Sequence, residues 1–361
     1  SGLDRALAAR AGRVLGGSRL RMLVSLHAMG LAAALLIPSG VVRVLLLVPF
    51  GVALVERGRG KGNPLLEVTV LLSLVCSTYY GGCGILTGAV PNLVVAGRLE
   101  EVTGRVLFWG EWLQWMFPVI GVLRTSLCLG VVWVLFARRL PPSSLETGPQ
   151  VSVAPLDASQ RRMLAILLSG VALWATDTIH HLPPVYVGLI LVVACLFPRW
   201  GPLRIAQIRQ ANLPFLFYLV ALFAIGNILQ QSGFTGLALD FMLSRADIDS
   251  LPAPEQHLAI TAVVLPLDFL MDIAAVAAVV TPTMLELASL HGLSPVAAAM
   301  SVAMATTLVF LPYQSAPFMV ALEFGRFTMG QLVSCMMAIS ILSVLVLCPL
   351  NVLYWYVSGL I

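Results

Sequence analysis

Apolar runs of membrane-spanning length recur from one end of this 361-residue chain to the other, and they restrict what it can become more than any motif does. Crossing the ~30 Å hydrocarbon core takes about 20 residues of helix, and every backbone N–H and C=O at that depth must be paired within the chain. Continuous apolar runs meet the demand as helices, so the fold class is all-α, a polytopic membrane protein. Composition agrees, with 59% of residues hydrophobic and 11% charged, against roughly 25% charged in a soluble domain. The net charge of +4 is small, and its arginines stand at the ends of apolar segments, which argues against nucleic acid and for topology signals. Six cysteines (Cys76, Cys83, Cys128, Cys195, Cys335, Cys348) fall in apolar segments without metal-ligand spacing and read as packing residues.

The interruptions carry the next step. Residues 3–21, with Arg5, Arg10, Arg13, Arg19 and Arg21, read as an interfacial amphipathic arm. Two short apolar pieces fill 22–56 and are split by "IPSG", the pattern of a re-entrant hairpin. A helix over 64–97 is broken by "GGCGILTGAVPNLVVAG", the Trp109, Trp112 and Trp115 segment reads as an interfacial belt, and a span follows at 118–137. Residues 141–160 are polar and form a cytoplasmic linker. The order then restarts: spans lead to "SGFTGLALDFMLSR", an echo of "SGLDRALAARAGRV", followed by a second hairpin over about 256–289 and a second broken helix over about 295–324. This divides the chain into a first repeat at 1–140 and a second at 161–361. The first lacks counterparts to the opening spans of the second, as expected of an N-terminally truncated chain.

Charge gives the two repeats opposite directions. With Arg57, Arg59 and Lys61 in the cytoplasm, counting crossings places Arg138, Arg139, Arg161, Arg162, Arg199, Arg204, Arg209 and Arg326 there too, and leaves Arg98, Arg105 and Arg245 outside. Inverted repeats with unwound helices are a secondary-transporter architecture, in which helix N-termini receive anionic groups and freed carbonyls receive cations. Irregular backbone at membrane depth is tolerated where it is buried or lines a wet cavity. Gly81, Gly82, Gly84 and Gly88 loosen the first break, Pro91 restarts a helix, and Thr87 and Asn92 offer side-chain oxygens.

"LTGAVPN" and "LPYQSAPF" resemble the paired loops of the divalent anion:sodium symporter family, within the ion transporter superfamily. "IPSGVVRVLLLVP" resembles its Ser-Asn-Thr hairpin tip, and "IHHLPPVYVGLILVVACLFP" and "ALFAIGNILQQSGF" resemble other family segments, so the likeness covers nearly the whole chain. It implies substrate or ion binding at Ser39, Gly40, Thr87, Gly88, Pro91, Asn92, Asp272, Ser315 and Pro317, with sodium ions at the same tips and loops, no organic cofactor, and a homodimer in a bacterial inner membrane. The match departs where Gly40 and Val41 replace asparagine and threonine, where Ala89 and Val90 replace threonine and proline, where Asp272, Ile273 and Ala274 stand for Ser-Asn-Thr, and where Ala316 and Phe318 replace proline and asparagine.

Several polar residues lie outside that pattern. Arg43, one turn past the first tip, either clamps a carboxylate or sulfate or forms an ion pair with another helix. Asp268 and Asp272 share a face if helical; one carries a proton or cation, or Asp272 pairs with Arg43. Gln314 and Tyr313 flank the second break, and Arg124 sits within a span without an assigned role. The expectation is a secondary active transporter of a dicarboxylate-like or sulfate-like anion, coupled to sodium or protons by alternating access. The alternatives are a non-transporting receptor on a degenerate transporter scaffold and an intramembrane enzyme, for which Asp268 and Asp272 are only a loose aspartyl pair and no serine-nucleophile or zinc motif is present in the sequence.

Overall fold

A computed structural model of the chain describes residues 18–57, 62–141, 156–198, 200–204, 251–270 and 272–361, with isolated positions between 206 and 237. The body of the 3–21 arm, the "RGRGKG" loop core, most of the 141–160 linker and most of residues 213–230, the last of the spans expected before the "SGFTG" echo, lie outside the described residues. Helices α1 (Arg19–Leu36), α2 (Gly40–Arg57), α3 (Pro64–Cys76), α4 (Val90–Thr103), α5 (Trp109–Met116) and α6 (Arg124–Leu135) precede the linker. After it come α7 (Ala158–Ala175), α8 (Pro184–Leu196), α9 (Ala253–Val264), α10 (Ile273–Leu290), α11 (Pro295–Thr306), α12 (Ala316–Glu323), α13 (Met329–Leu342) and α14 (Cys348–Ser358). No strand occurs among the described residues, and five helical stretches are long and apolar enough to cross a membrane.

Local sequence explains where these elements start and stop. Asn63 caps α3 by accepting from Leu65 and Leu66 N–H, with Pro64 in the first turn, where its missing N–H is harmless. At its far end α3 loosens into a π-turn at Ser77–Gly81 and a 3-10 turn at Gly82–Gly84. The chain then runs through extended Ile85, a 3-10 turn at Leu86–Gly88 and extended Ala89 before α4 starts with Pro91 in its first turn. The second break repeats this residue for residue: extended Leu311, a 3-10 turn at Pro312–Gln314, extended Ser315, then α12 with Pro317 in its first turn. The spacing that relates Ile85 to Leu311 and Pro91 to Pro317 also relates Phe117 to Ser343, and a π-turn begins at each of the latter two, within the spans after the breaks. The two tips match as well. Ser39 accepts from Val42 N–H, Asp272 accepts from Ala274 N–H, and each stands directly before its exit helix.

Some boundaries differ from the sequence expectation. The residues taken as the end of the arm, Arg19 to Arg21, belong to α1; α4 runs on to Thr103, where Gly104 ends it in the left-handed conformation. The span expected at 118–137 begins at Trp109, since α5, a π-turn and α6 form one continuous stretch to Leu135. Trp109 and Trp112 are buried, not belt residues, because α5 enters the bundle at once: the Asp177 carboxylate caps it by accepting from the Trp109 and Gly110 N–H groups. The linker ends before Ala158, where Asp157 and Gln160 form a capping box.

Packing crosses between the two parts of the chain. Helix α10, leaving the second tip, packs along α4, leaving the first break; α12, leaving the second break, packs along α2, leaving the first tip. Three glycines make the approach of the first break to the following π-turn possible. A Cβ on Gly84 would lie 2.5 Å from the Gly121 nitrogen, and one on Gly81 would meet Thr125 Oγ1 at 2.2 Å.

Candidate functional site

Arg43 is fully buried one turn into α2, and its guanidinium ties the first tip to the first break. Nη1 donates to Ile37 O at 2.8 Å and Nη2 donates to Gly88 O at 2.7 Å. Both carbonyls belong to residues that the helices have released, and a charged donor satisfies them. Gly40 allows the tip to press against the second break as well: a Cβ there would fall 2.7 Å from Pro317 Cγ and 3.7 Å from Arg43 Nη2. Ser39, Gly40, Arg43, Gly88 and Pro317 therefore meet in one place.

Inside the first break Asn92 is fully buried and turns back on its own loop, with Nδ2 donating to Cys83 O at 3.0 Å and Ile85 O at 2.9 Å. Its Oδ1 has no hydrogen-bond partner. Thr87 Oγ1 accepts from Trp109 Nε1 at 3.3 Å, and Pro91 is buried at the start of α4. Asn92 thus braces the loop with its amide nitrogen and keeps one oxygen unused.

The second break is braced by Gln314. Its Oε1 accepts from Phe310 N–H at 2.7 Å and Leu311 N–H at 2.6 Å, while Nε2 donates to Asp268 O at 2.7 Å, tying this loop to the second tip. Tyr313, half exposed, adds a second tie through its hydroxyl to Phe269 O at 2.7 Å. Tyr80 and Ser340 hydroxyls donate to Val309 O at 2.6 and 2.7 Å, satisfying the extended strand-like segment before the turn. The two breaks also touch directly, with the Phe318 ring 4.4 Å from that of Tyr79 and 5.7 Å from that of Tyr80, both in the π-turn of the first.

Asp268 and Asp272 do not share a helical face. Asp268 lies in the 3-10 turn Leu265–Phe269 and Asp272 is the cap of α10, so the tip itself separates them. They remain within electrostatic reach of each other and of Tyr79. The buried Tyr79 hydroxyl has no hydrogen-bond partner. Asp268 is fully buried, and both its carboxylate oxygens lack a hydrogen-bond partner. A buried carboxylate without a donor is strongly disfavoured as a bare anion. It is chemically fitted to hold a proton or a cation. The Arg43 guanidinium, for its part, bonds to carbonyls of the first tip and first break, not to Asp272.

Four helix N-termini meet around this centre, and they are not equivalent. Ser39 and Asp272 cap the two tip helices, whereas neither α4 nor α12 has a side-chain cap; in the first turn of α12 the Phe318 N–H donates to Ser315 O, and Pro91 and Pro317 carry no N–H. Charge is segregated too: the arginine stands at the first tip and both aspartates at the second. Sequence reasoning named most of these positions through the loop motifs but not Tyr79 or Phe318 as contacts between the breaks. The aromatic pair "YY" directly ahead of the glycines was the available signal.

Comparison with known proteins bears on what such a centre is for. The chain is 24% identical over 220 residues to a membrane protein of Cupriavidus necator, covering 58% of this chain and 42% of that protein. It is 25% identical over 191 residues to the L-tartrate/succinate antiporter of Escherichia coli and 25% identical over 188 residues to that of Shigella flexneri, each match covering 50% of this chain and 36% of the relative. The matches thus span less than half the length of these relatives. These antiporters are transporters and not enzymes, and the apolar helices make this chain an integral membrane protein. Since residues 1–361 match the sodium:sulfate symporter transmembrane region along their whole length, the chain belongs to that family of secondary anion transporters.

Proposed function

We propose that the chain forms the substrate and ion site of a secondary active transporter for a small dianion, dicarboxylate-like or sulfate-like, working by alternating access in a bacterial inner membrane. The observation that carries this reading is the buried Arg43, bonded to Gly88 O ahead of α4 and next to Gly40, which presses on Pro317 at the start of α12, neither helix having a side-chain cap. Oriented N–H groups and a nearby guanidinium favour an anion in a low-dielectric centre. One acidic group of the substrate sits against the first turn of α4 near Pro91 and Asn92, the other against α12 near Ser315 and Pro317, with Thr87 and Gly88 at the rim. The coupling cation, sodium or a proton, belongs at the second tip, where Asp268 and Asp272 lie and where Asp268 has no hydrogen-bond partner for its oxygens.

Two inverted repeats, divided at the 141–160 linker, account for the paired tips, paired breaks and paired π-turns. Inversion is supported by the ends of the elements: Arg326, just after α12, pairs with Glu67 at the start of α3 at 3.3 Å, while the end of α14 meets α5 through Trp355 Nε1 and Trp115 O at 2.8 Å. In this reading the molecule works as a homodimer, and symport and antiport differ in whether the cation at the second tip travels with the substrate.

The test is uptake of radiolabelled succinate, L-tartrate, citrate and sulfate into proteoliposomes containing the full-length protein, under imposed sodium or proton gradients and under counterflow. Saturable transport of at least one dianion supports the proposal. Absence of transport for all four in every mode overturns it.

A further inference from the structure

Arg124 lies outside the centre described above, and its surroundings call for a ligand of their own. It is the first residue of α6, directly after the π-turn Phe117–Leu123, and it is fully buried. Nη1 donates to Thr307 Oγ1 at 2.7 Å, with Thr307 O at 3.4 Å, at the C-terminal end of α11 just ahead of the second break. This leaves Nε and Nη2, which have no hydrogen-bond partner. Those two nitrogens form one edge of the guanidinium, the fork that grips an acceptor with two parallel N–H groups.

The Cys83 and Cys348 thiols are within electrostatic reach of Arg124. Asn351, fully buried, donates through Nδ2 to Met304 Sδ at 3.6 Å and Met116 Sδ at 3.9 Å, so its amide is occupied within the protein. An unpaired guanidinium in the membrane interior is disfavoured unless a counter-charge accompanies it. Arg124 makes no ion pair with a described carboxylate.

We propose that the open edge of Arg124 binds a small monovalent anion of the halide class, separate from the transported dianion. The charge fixes the class. One guanidinium balances one negative charge, whereas a dianion needs a second cation or a set of strong donors. A nearby thiol S–H is a weak donor suited to a large, polarisable ion. Because Arg124 holds the end of α11 and its π-turn lies against the first break, the bound anion neutralises the arginine and stiffens both breaks. It thereby prepares the transport centre without entering it.

The test uses the purified full-length protein in detergent, with melting temperature measured as potassium chloride or bromide replaces potassium gluconate at constant ionic strength and constant sodium. The expected result is a saturable rise with both halides that is lost in Arg124→Gln. In Arg124→Lys, which keeps the charge and removes the fork, the half-saturating chloride concentration rises at least tenfold. A wild-type protein indifferent to halide overturns the proposal, as does an unchanged response in Arg124→Gln. Should Arg124→Gln fail to fold, bromide-soaked crystals of the wild-type protein decide the matter by anomalous diffraction: a peak beside Arg124 supports the site, and its absence at saturating bromide refutes it.

Discussion

In the proposed site two charged residues have different roles. Arg43 satisfies two carbonyls that the broken backbone releases, so Arg43→Gln leaves buried acceptors without donors, at about 1–3 kcal/mol each. The variant should melt lower than the wild type and lose thermal stabilisation by succinate or sulfate; retention of that stabilisation removes Arg43 from the anion site. Asp268 has the opposite assignment. Its oxygens lack protein partners, so Asp268→Asn relieves a buried charge instead of breaking a bond. The expected outcome is a stable protein whose counterflow exchange survives while gradient-driven accumulation falls at least tenfold, measured in the same vesicles. Equal loss of both modes contradicts a coupling role.

At the level of elements, the breaks are shaped by contact as much as by flexibility. Gly84→Ala drives a methyl into the Gly121 backbone, and Gly88→Ala puts one 2.1 Å from Gly82 O; in both cases the obstacle is main chain that cannot rotate aside. Each should destabilise by at least ~1–3 kcal/mol, the usual range for overpacking. Gly97→Ala lies within α4 with nothing within 4 Å of the added methyl, so it should stabilise by about 0.5–1 kcal/mol through helix propensity. Thermal melting of the three variants checks the contrast, and similar behaviour of Gly84→Ala and Gly97→Ala refutes the packing account. The π-turns in the spans after the breaks add a place where the helical ladder is already loosened.

For the whole molecule, the decisive property is that elements from distant parts of the sequence complete one another. The first tip meets both breaks, the second tip is tied to the second break through Gln314 and Tyr313, and α10 lies along α4. The proposed inversion of the two repeats makes a prediction about sidedness. On a cysteine-free background, single cysteines at Glu56 and Arg326 should react with a membrane-impermeant maleimide only from the cytoplasmic face, and those at Arg105 and Ser358 only from the opposite face. Any member of either pair labelling from the wrong face ends the inverted assignment.

Hydrophobic run length and the Gly and Pro positions were enough to establish an all-helical membrane protein with two breaks, because helix is the form that satisfies backbone polarity along a continuous apolar run and Gly-Pro clusters are where it fails. Loop motifs located Thr87, Asn92, Gln314 and Ser315 for the same local reason. The partners of those residues were not legible. That Arg43 would bond to Gly88 O and Ile37 O, that Asp268 would be left without a donor, and that Trp109 would be core instead of belt all depend on distances between segments remote in sequence. Such distances are set when α4 packs on α10 and α12 on α2, and no periodicity within one segment encodes them.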